Sequence, residues 1–186
     1  KSCGRVTSPT LVCILDEEGN AMPSEEEGEI CCRGPLVTRA YYRNEDATKE
    51  ARRYGWHHTG DVGYLDNNGF LYIADRIKDM IITGGFNVYA TEVERSILAH
   101  EEILECAVIG VPDTKWGEAV KAIAVRHSGK NITEEQLILA IKATLGSVKT
   151  PKSVEFWETL PKTSVGKIDK KLIRERFWQK NSRNVN

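Results

Sequence analysis

The chain has 186 residues, of which 40% are hydrophobic, so it can fill the core of one ordinary domain or of two small ones. That composition excludes an intrinsically disordered protein. Lys and Arg number 26 against 27 Asp and Glu, which leaves no net field to attract nucleic acid, although peripheral contact with a membrane stays open.

The cysteines and the hydrophobic runs indicate the compartment. The five cysteines form no C-x-x-C pair and lie mostly in apolar runs, which is typical of reduced thiols and predicts neither disulfides nor a metal site. No run is long enough to span a membrane, and no signal peptide is present. We therefore expect a cytoplasmic protein. The opening KSCGRV lacks Met and leads at once into a strand-like segment, so we expect a piece of a longer protein.

The first half of the chain is predicted to be β-rich. Leu11–Leu15 and Glu29–Arg33 are typical of strands, and an acidic, glycine-containing connection joins them. A short helix is expected near Asp46–Arg52. From Trp56 onward, two β-rich runs flank the turn sequence DNNG at 66–69, which predicts a hairpin.

The second half alternates helices and strands. Two helices are predicted where apolar residues recur at helical spacing behind a capping box, in which a Thr and a Glu or Gln satisfy the first backbone amides. The first is Thr91–Ala99, with Thr91 and Glu94 as the box and with Val93 and Ile97 buried. The second is Thr133–Leu145, with Thr133 and Gln136 as the box, the stripe Leu137, Ala140, Ile141 and Leu145, and Gly146 as the stop.

Three strands and a last helix complete the second half. The strands are predicted at Cys106–Val111, Ala119–Val125 and Val154–Trp157, because these runs are rich in β-branched and apolar residues. Asp169 is expected to cap the last helix, and the polar tail after Lys180 is expected to fray. The fold class is therefore α+β. Residues 1–77 are β-rich and have too few apolar residues to form a core of their own. Residues 78–186 are predicted to contain a hairpin, a three-stranded sheet and three helices.

Two motifs could contact a nucleotide. In HTGD, Asp61 projects beside a glycine, and a lone carboxylate can accept hydrogen bonds from the two vicinal hydroxyls of a ribose. The more common interpretation of such an aspartate is a turn or a helix cap. Arg76 could clamp a ribose or phosphate oxygen, or it could form a surface salt bridge with Asp75 or Asp79. Taken alone, both motifs favour the structural interpretation.

Paired glycines and paired histidines give weaker signals. Gly84 and Gly85 indicate either a plain turn or a place where the backbone approaches a ligand closely. Their spacing fits neither a dinucleotide-binding nor a phosphate-binding loop. His57 and His58 could shape the site around Asp61, but no catalytic triad and no metal-ligand spacing occurs in the sequence.

Lys167 lies beside a glycine in TSVGKIDKK, in a loop predicted to be flexible. The segment lacks the first glycine of a phosphate-binding loop and has Ile168 where that loop needs Ser or Thr. A lysine on such a loop can act as a movable charge against an oxyanion. Alternatively, the lysines at 162, 167, 170 and 171 form a solvated basic face, which is the favoured interpretation of this segment alone.

The order and spacing of the motifs favour the functional interpretations. The succession GWHHTGD, GYLDNNGFLYIADRIKDMIITGGFNVYATEVE, CAVIGVPDTKWGEAVKAIAV and LPKTSVGKIDKK resembles the acyl-adenylate-forming superfamily over nearly the whole chain. That superfamily contains acyl-CoA synthetases, aryl-CoA ligases, beetle luciferases and nonribosomal peptide adenylation domains. The sequence looks closest to the fatty-acid and aryl-acid CoA ligases.

The resemblance implies a nucleotide site in the first half of the chain. Thr59 and Asp61 would hold the ribose of ATP and AMP, Arg76 would reach the same sugar, and Ile73 would pack near the nucleotide. Residues 1–77 would be the end of the large domain, as part of a β-barrel subdomain.

The resemblance also implies that residues 78–186 are a mobile C-terminal domain. Lys78 would be the hinge, and Lys167 would be the catalytic lysine that enters the active site during adenylation. A channel for the pantetheine arm of coenzyme A would be formed by Gly84, Gly85, Phe86 and Asn87.

The implied activity joins a carboxylic acid to coenzyme A with ATP and Mg²⁺, the Mg²⁺ being bound mainly by segments upstream. Asp75, Ala90 and Val148 depart from the residues common in the family, without removing a functional group. The phosphate loop and the acid pocket are absent, so the chain alone is expected to be inactive. The alternatives are an adenylation domain that loads a carrier protein, a luciferase-like oxygenase, and a non-catalytic module that binds nucleotide or coenzyme A. The oligomeric state is open.

Overall fold

The computed structural model describes residues 1–181, with side chains described as far as residue 178. The chain divides into two compact units, Lys1–Lys78 and Asp79–Asn186. The polar tail that was expected to fray lies, apart from Asn181, outside the described residues. None of the described helices is long and apolar enough to cross a membrane.

The first unit contains an antiparallel sheet of five strands. The strands are β1 (Gly4–Arg5), β2 (Leu11–Leu15), β3 (Gly28–Arg33), β4 (His57–Leu65) and β5 (Phe70–Arg76). They pair in the order β1-β5-β4-β3-β2, which leaves the sheet open within the described residues. Helix α1 (Glu45–Glu50) and a single 3-10 turn (Arg53–Gly55) connect β3 to β4. The predicted strands, short helix and hairpin are therefore confirmed.

The second unit contains another five-stranded sheet and three helices. The strands are β6 (Ile81–Thr83), β7 (Phe86–Val88), β8 (Ile103–Asp113), β9 (Gly117–Arg126) and β10 (Ser153–Phe156). The helices are α2 (Ala90–Leu98), α3 (Glu134–Lys149) and α4 (Lys170–Asn181). Strand β9 pairs with β8, β10 and β6, and the last pairing joins the β6–β7 hairpin to the three predicted strands. The α+β class is confirmed, and the predicted three-stranded sheet is corrected to five strands.

Strands β8 and β9 of the second sheet are buried on both faces of the sheet. In β8, Cys106 and Val108 belong to the hydrophobic cluster that includes α2 and α3, whereas Ala107 and Ile109 belong to the cluster that includes Ile173 of α4. Successive side chains of a strand point to opposite faces. Burial on both faces therefore requires a continuous apolar run, which explains why CAVIGV contains no polar residue.

The two predicted capping boxes have different outcomes. The box at the start of α3 is confirmed: Thr133 accepts a hydrogen bond from the backbone N–H of Gln136, whose side chain accepts one from the backbone of Thr133. The box at the start of α2 is wrong, because the helix begins after Tyr89, which makes no side-chain cap hydrogen bond. Glu94 instead accepts from the backbone N–H of Val108 in β8 at 2.8 Å. Glu94 thus joins helix α2 to strand β8.

Two further predictions concern helix ends. Asp169 caps α4 as predicted, since its Oδ1 accepts a hydrogen bond from the backbone N–H of Leu172 at 3.0 Å. Gly146 breaks the helical geometry of α3 with a φ of 76°, although helical hydrogen bonding resumes as far as Lys149. The predicted stop is thus an interruption three residues before the end of α3.

Candidate active site

The TGD motif lies on a bulge of strand β4. Glu29 pairs with Val62 and Cys31 pairs with His58, so the single residue Ile30 of β3 lies opposite three residues, 59–61, of β4. Strand β4 must therefore bow outward at this point. The bulge requires a φ of 76° at residue 60, which is a conformation that glycine adopts readily.

Side-chain hydrogen bonds hold the bulge in place. The hydroxyl of Thr59 donates to the carbonyl oxygen of Ile30 at 2.7 Å and accepts from the backbone N–H of Asp61 at 3.1 Å. The backbone N–H of Gly60 donates to Oε1 of Glu29 at 3.0 Å. Each residue of the TGD motif therefore has a hydrogen bond either to strand β3 or to another residue of the motif.

Asp61 and Arg76 lie opposite each other on β4 and β5. Nε of Arg76 is 3.4 Å from Oδ1 of Asp61, and the two side chains are 56% and 33% exposed, respectively. The predicted salt bridges of Arg76 are wrong in their partner, because Asp79 pairs with Arg174 at 3.0 Å and Oδ1 of Asp75 accepts from the backbone N–H of Arg76. Asp61 is not a helix cap, since it lies within a strand. The carboxylate and the guanidinium are both open to a ligand.

An open cleft of the first unit brings most of the predicted nucleotide-binding residues together. Its lining includes Thr59, Asp61, Arg76 and Lys78, together with residues from α1 and the following turn. Lys78 lies in a single 3-10 turn at the end of the first unit. Ile73 is 54% exposed on β5 and is not among the residues that line this cleft.

Behind the bulge lies a polar group that sequence reasoning missed in part. Glu29, Cys31 and His58 place one ligand-type atom each within 4.8 Å of one another. The sequence pointed to His58 through its position beside the TGD motif. Glu29 gave no signal, because a glutamate in a strand is usually solvent-exposed, and only the pairing of β3 with β4 turns it toward the motif.

Gly84 and Gly85 form the turn between β6 and β7. Their φ angles are 57° and 82°, so the plain-turn alternative describes the backbone correctly. A Cβ on Gly84 would lie 2.6 Å from the indole ring of Trp116, whereas a Cβ on Gly85 would meet nothing within 4 Å. Phe86 is 59% exposed, and Asn87 is exposed as well. The pantetheine channel at these residues stays a prediction.

Lys167 is exposed on a turn that is well hydrogen-bonded. The backbone N–H of Thr163 donates to the carbonyl oxygen of Lys167 at 2.7 Å, and the N–H of Gly166 donates to the carbonyl oxygen of Thr163 at 2.9 Å. Lys162 and Ile168 form a β-bridge that closes the turn. The lysine is therefore carried by a defined turn rather than by an irregular loop.

The solvated basic face proposed for this region is not formed as a whole. Lys162 is paired with Glu105 at 2.5 Å, and Lys170 is paired with Glu94 at 2.7 Å. Lys167 and Lys171 are exposed. The four lysines thus divide into two that bind acidic side chains and two that project from the surface.

Each of the two units contains a range that matches the model of a known protein family. The model of the AMP-binding enzyme family matches residues 1–42, and the model of the AMP-binding enzyme C-terminal domain matches residues 92–167. The chain belongs to the AMP-binding, adenylate-forming enzymes. Asp61, Arg76 and Lys78 lie between the two matched ranges, so the functions of these three residues stay predictions.

Several relatives of this chain carry the names of CoA ligases or synthases. It is 44% identical to a medium/long-chain-fatty-acid–CoA ligase of Mycobacterium tuberculosis, covering 96% of this chain and 32% of the relative. It is also 44% identical to a feruloyl-CoA synthase of an Amycolatopsis species, covering 90% of this chain and 34% of the relative. The chain therefore spans about a third of the length of the curated relatives it matches.

Solved AMP-binding enzymes share the fold. ATP-bound MatB from Rhodopseudomonas palustris matches with a TM-score of 0.89 at 38% identity, covering 95% of this chain and 35% of MatB. The apo form of MatB matches at the same identity with a TM-score of 0.68. The ATP-bound form of MatB therefore matches this chain more closely than the apo form does.

Proposed function

We propose that this chain supplies the ribose-binding edge and the adenylation lysine of an ATP-dependent acyl-CoA synthetase. The reaction joins a carboxylic acid to coenzyme A through an acyl-AMP, with release of pyrophosphate and then of AMP. The observation that carries the proposal is that Asp61 and Arg76 face each other on adjacent strands in an open cleft, with Asp61 on the bulge of β4. The activity belongs to the whole protein, and this chain alone is expected to be inactive.

The first unit would bind the nucleotide. Each oxygen of the Asp61 carboxylate can accept a hydrogen bond from one of the two ribose hydroxyls, and bonds to a charged acceptor are strong. Thr59 supports Asp61 through the bond to its backbone N–H. Arg76 would reach the same sugar once it exchanges part of its contact with Asp61 for the ligand. Ile73 would pack near the nucleotide.

The second unit would supply the charge. In adenylation, a carboxylate oxygen bonds to the α-phosphorus and the bond to pyrophosphate breaks, so negative charge develops on the phosphate oxygens. A preorganised cation such as Lys167 stabilises that charge. In the second step, the thiol of coenzyme A attacks the acyl carbon and AMP leaves, and rotation at Lys78 would withdraw Lys167 and present Gly84, Gly85, Phe86 and Asn87.

The cleft does not suit Mg²⁺ by itself. Magnesium is bound by free carboxylates and other oxygen ligands. The carboxylates lining the cleft are already paired: Glu29 with His58 and Arg53, Glu50 with Arg53, and Asp61 with Arg76. We assign the metal that accompanies ATP to residues outside this chain. A cytoplasmic location is part of the same proposal and agrees with the five free thiols.

The test separates the two half-reactions in the intact protein with Lys167→Ala. Exchange of pyrophosphate into ATP, assayed with a medium-chain fatty acid and with ferulate, is expected to fall roughly 100- to 1000-fold, because a charge-stabilising donor is lost. Thioester formation from supplied acyl-AMP is expected to be kept. Lys171→Ala, which removes an exposed lysine four residues later, is the control and should leave both unchanged. Equal loss of both half-reactions in Lys167→Ala would contradict the proposed role.

A further inference from the structure

We propose that Glu29 and His58 form a buried hydrogen-bonded pair that positions the TGD bulge, and with it Asp61, for binding the nucleotide ribose. The inference rests on the proposed function and adds two positioning residues to it. Both residues also line the cleft around Asp61, and their proposed role is to hold the bulge rather than to bind the nucleotide.

One carboxylate of β3 joins the imidazole to the bulge. Oε2 of Glu29 is 2.7 Å from Nδ1 of His58, and Oε1 of Glu29 accepts from the backbone N–H of Gly60 at 3.0 Å. The two side chains are only 12% and 5% exposed, respectively. A buried carboxylate is costly unless its oxygens are paired, and here both oxygens have partners.

The hydrogen bonds of the imidazole indicate where its protons are. Nε2 of His58 is 3.1 Å from the carbonyl oxygen of Arg53, which can only accept, so this nitrogen carries a proton. Nδ1 faces a carboxylate oxygen, so a second proton lies in that bond. Glu29 and His58 therefore share a proton in a short hydrogen bond.

The other groups around the pair are consistent with this arrangement. The guanidinium of Arg53 lies 3.8 Å from Oε2 of Glu29 and adds positive charge on the same side. The sulfur of Cys31 is 3.5 Å from Nδ1 of His58, and burial raises the pKa of this thiol to about 12, so it stays neutral. The ring of Tyr54 is tilted against the imidazole, with its centroid 6.1 Å away.

A metal ion shared by Glu29, Cys31 and His58 is the alternative occupant of this cluster. Two ligands of one tetrahedral zinc ion, each about 2.0 Å from the metal, are separated by roughly 3.3 Å. The 2.7 Å between Oε2 of Glu29 and Nδ1 of His58 is instead the length of a hydrogen bond. The geometry therefore favours the hydrogen-bonded pair.

Loss of Glu29 would release the bulge at its glycine. Gly60 has the most permissive backbone of the three bulge residues, and its N–H is bound by Glu29. The neighbouring bonds of Thr59 fix only the flanks of the bulge. Asp61 follows directly, so a shift of Gly60 moves the ribose-binding carboxylate. Displacements on the scale of an ångström can cost roughly 100-fold at a site that depends on positioning.

The experiment measures the affinity of the intact protein for AMP by calorimetric titration. Glu29→Ala is expected to weaken AMP binding roughly 10- to 100-fold, because Asp61 is no longer held in place. Glu29→Gln should stay within about threefold of the unmodified protein, since its amide oxygen can accept from Gly60 and its amide N–H can donate to a neutral His58. The control is Glu25→Ala, which removes a carboxylate that accepts from the backbone N–H of Asn67, and it should leave the affinity unchanged.

Glu29→Asp provides a second variant if Glu29→Ala does not fold. Asp keeps the charge but is shorter by one methylene, so it cannot reach Gly60 and His58 together, and weaker AMP binding is again expected. Unchanged affinity in Glu29→Ala or Glu29→Asp would overturn the inference, as would a Glu29→Gln variant as weak as Glu29→Ala. Stoichiometric metal in the purified protein that disappears in Cys31→Ser would overturn it too. Failure of the unmodified protein to bind AMP would count against the proposed function instead.

Discussion

The two units position their candidate functional groups by different physical means. In the first unit, Asp61 is attached to a bulge held by hydrogen bonds to β3, one of them to the side chain of Glu29. In the second unit, Lys167 is exposed on a small turn, and the next residue, Ile168, packs against the hydrophobic cluster around Ile173. One group depends on polar contacts directly behind it, whereas the other depends on the integrity of the whole unit.

This difference suits the proposed division of labour. A carboxylate that must match two ribose hydroxyls benefits from rigid local support, because its value lies in fine positioning. A cation that acts in only one of two half-reactions must be movable. Since the turn around Lys167 is itself hydrogen-bonded, the motion is best supplied by the unit as a body, with Lys78 as the joint.

Removing core volume from the second unit is expected to have the largest effect on stability. Ile141 of α3 is fully buried in the cluster with α2 and β8, and Ile141→Ala should lower the free energy of unfolding by about 2–5 kcal/mol. Leu139→Ala, on the same helix but 69% exposed, should change it by less than about 0.5 kcal/mol. Hydrogen exchange resolved by residue checks both variants.

The same exchange experiment tests whether the two units are distinct. We expect amides of α2, α3 and β8 to lose protection in Ile141→Ala, while those of β3 and β4 keep it, because the first unit does not share this hydrophobic cluster. An equal loss of protection in both units would contradict the division of the chain at Lys78.

A smaller effect is expected where the β6–β7 turn presses on an aromatic ring. Gly84→Ala should cost about 1–3 kcal/mol, since a Cβ would both strain the positive φ and lie 2.6 Å from the ring of Trp116. At Gly85 the φ is also positive, but a Cβ would meet no atom within 4 Å. Gly85→Ala should therefore lower the free energy of unfolding by about 1 kcal/mol. Chemical denaturation measures the free energy of unfolding of both variants.

A double-mutant cycle with Trp116→Ala separates crowding from backbone strain at Gly84. If the ring causes the additional cost, Gly84→Ala should be less damaging in the Trp116→Ala background, with a coupling of about 0.5–3 kcal/mol. Additive effects would show that only the backbone conformation matters. The required glycine at 84 would then owe nothing to close packing.

The elements could be predicted from sequence wherever one local rule decided them. Runs rich in apolar residues located β8 and β9, because most side chains of these two strands are buried against one or the other face of the sheet. The DNNG turn located the hairpin of β4 and β5, since the carboxylate of Asp66 accepts from the backbone N–H of Asn68 and Phe70. In each case the residues that decide the structure are neighbours in the chain.

Predictions that depended on distant partners were incomplete. The partner of Arg76 is fifteen residues away on the adjacent strand, and the glutamate that supports Gly60 lies thirty-one residues earlier on β3. Glu94 has the spacing of a capping box, yet its carboxylate binds Val108 and Lys170. Strand pairing and helix docking create these contacts, and neither is encoded by spacing along the chain.

Loss of the cap on α3 is expected to have the smallest effect. Thr133→Ala removes the hydroxyl that accepts from the backbone N–H of Gln136, and it should lower the free energy of unfolding by about 1 kcal/mol. Thr144→Ala is the matched control, because its hydroxyl donates to the carbonyl oxygen of Ala140 within the helix and its loss should cost less than about 0.5 kcal/mol. Urea denaturation compares the two variants. If the two variants lose the same free energy of unfolding, the hydroxyl of Thr133 contributes no more than a hydroxyl within the helix. The confirmed capping box would then have no measurable role in stabilising the second unit.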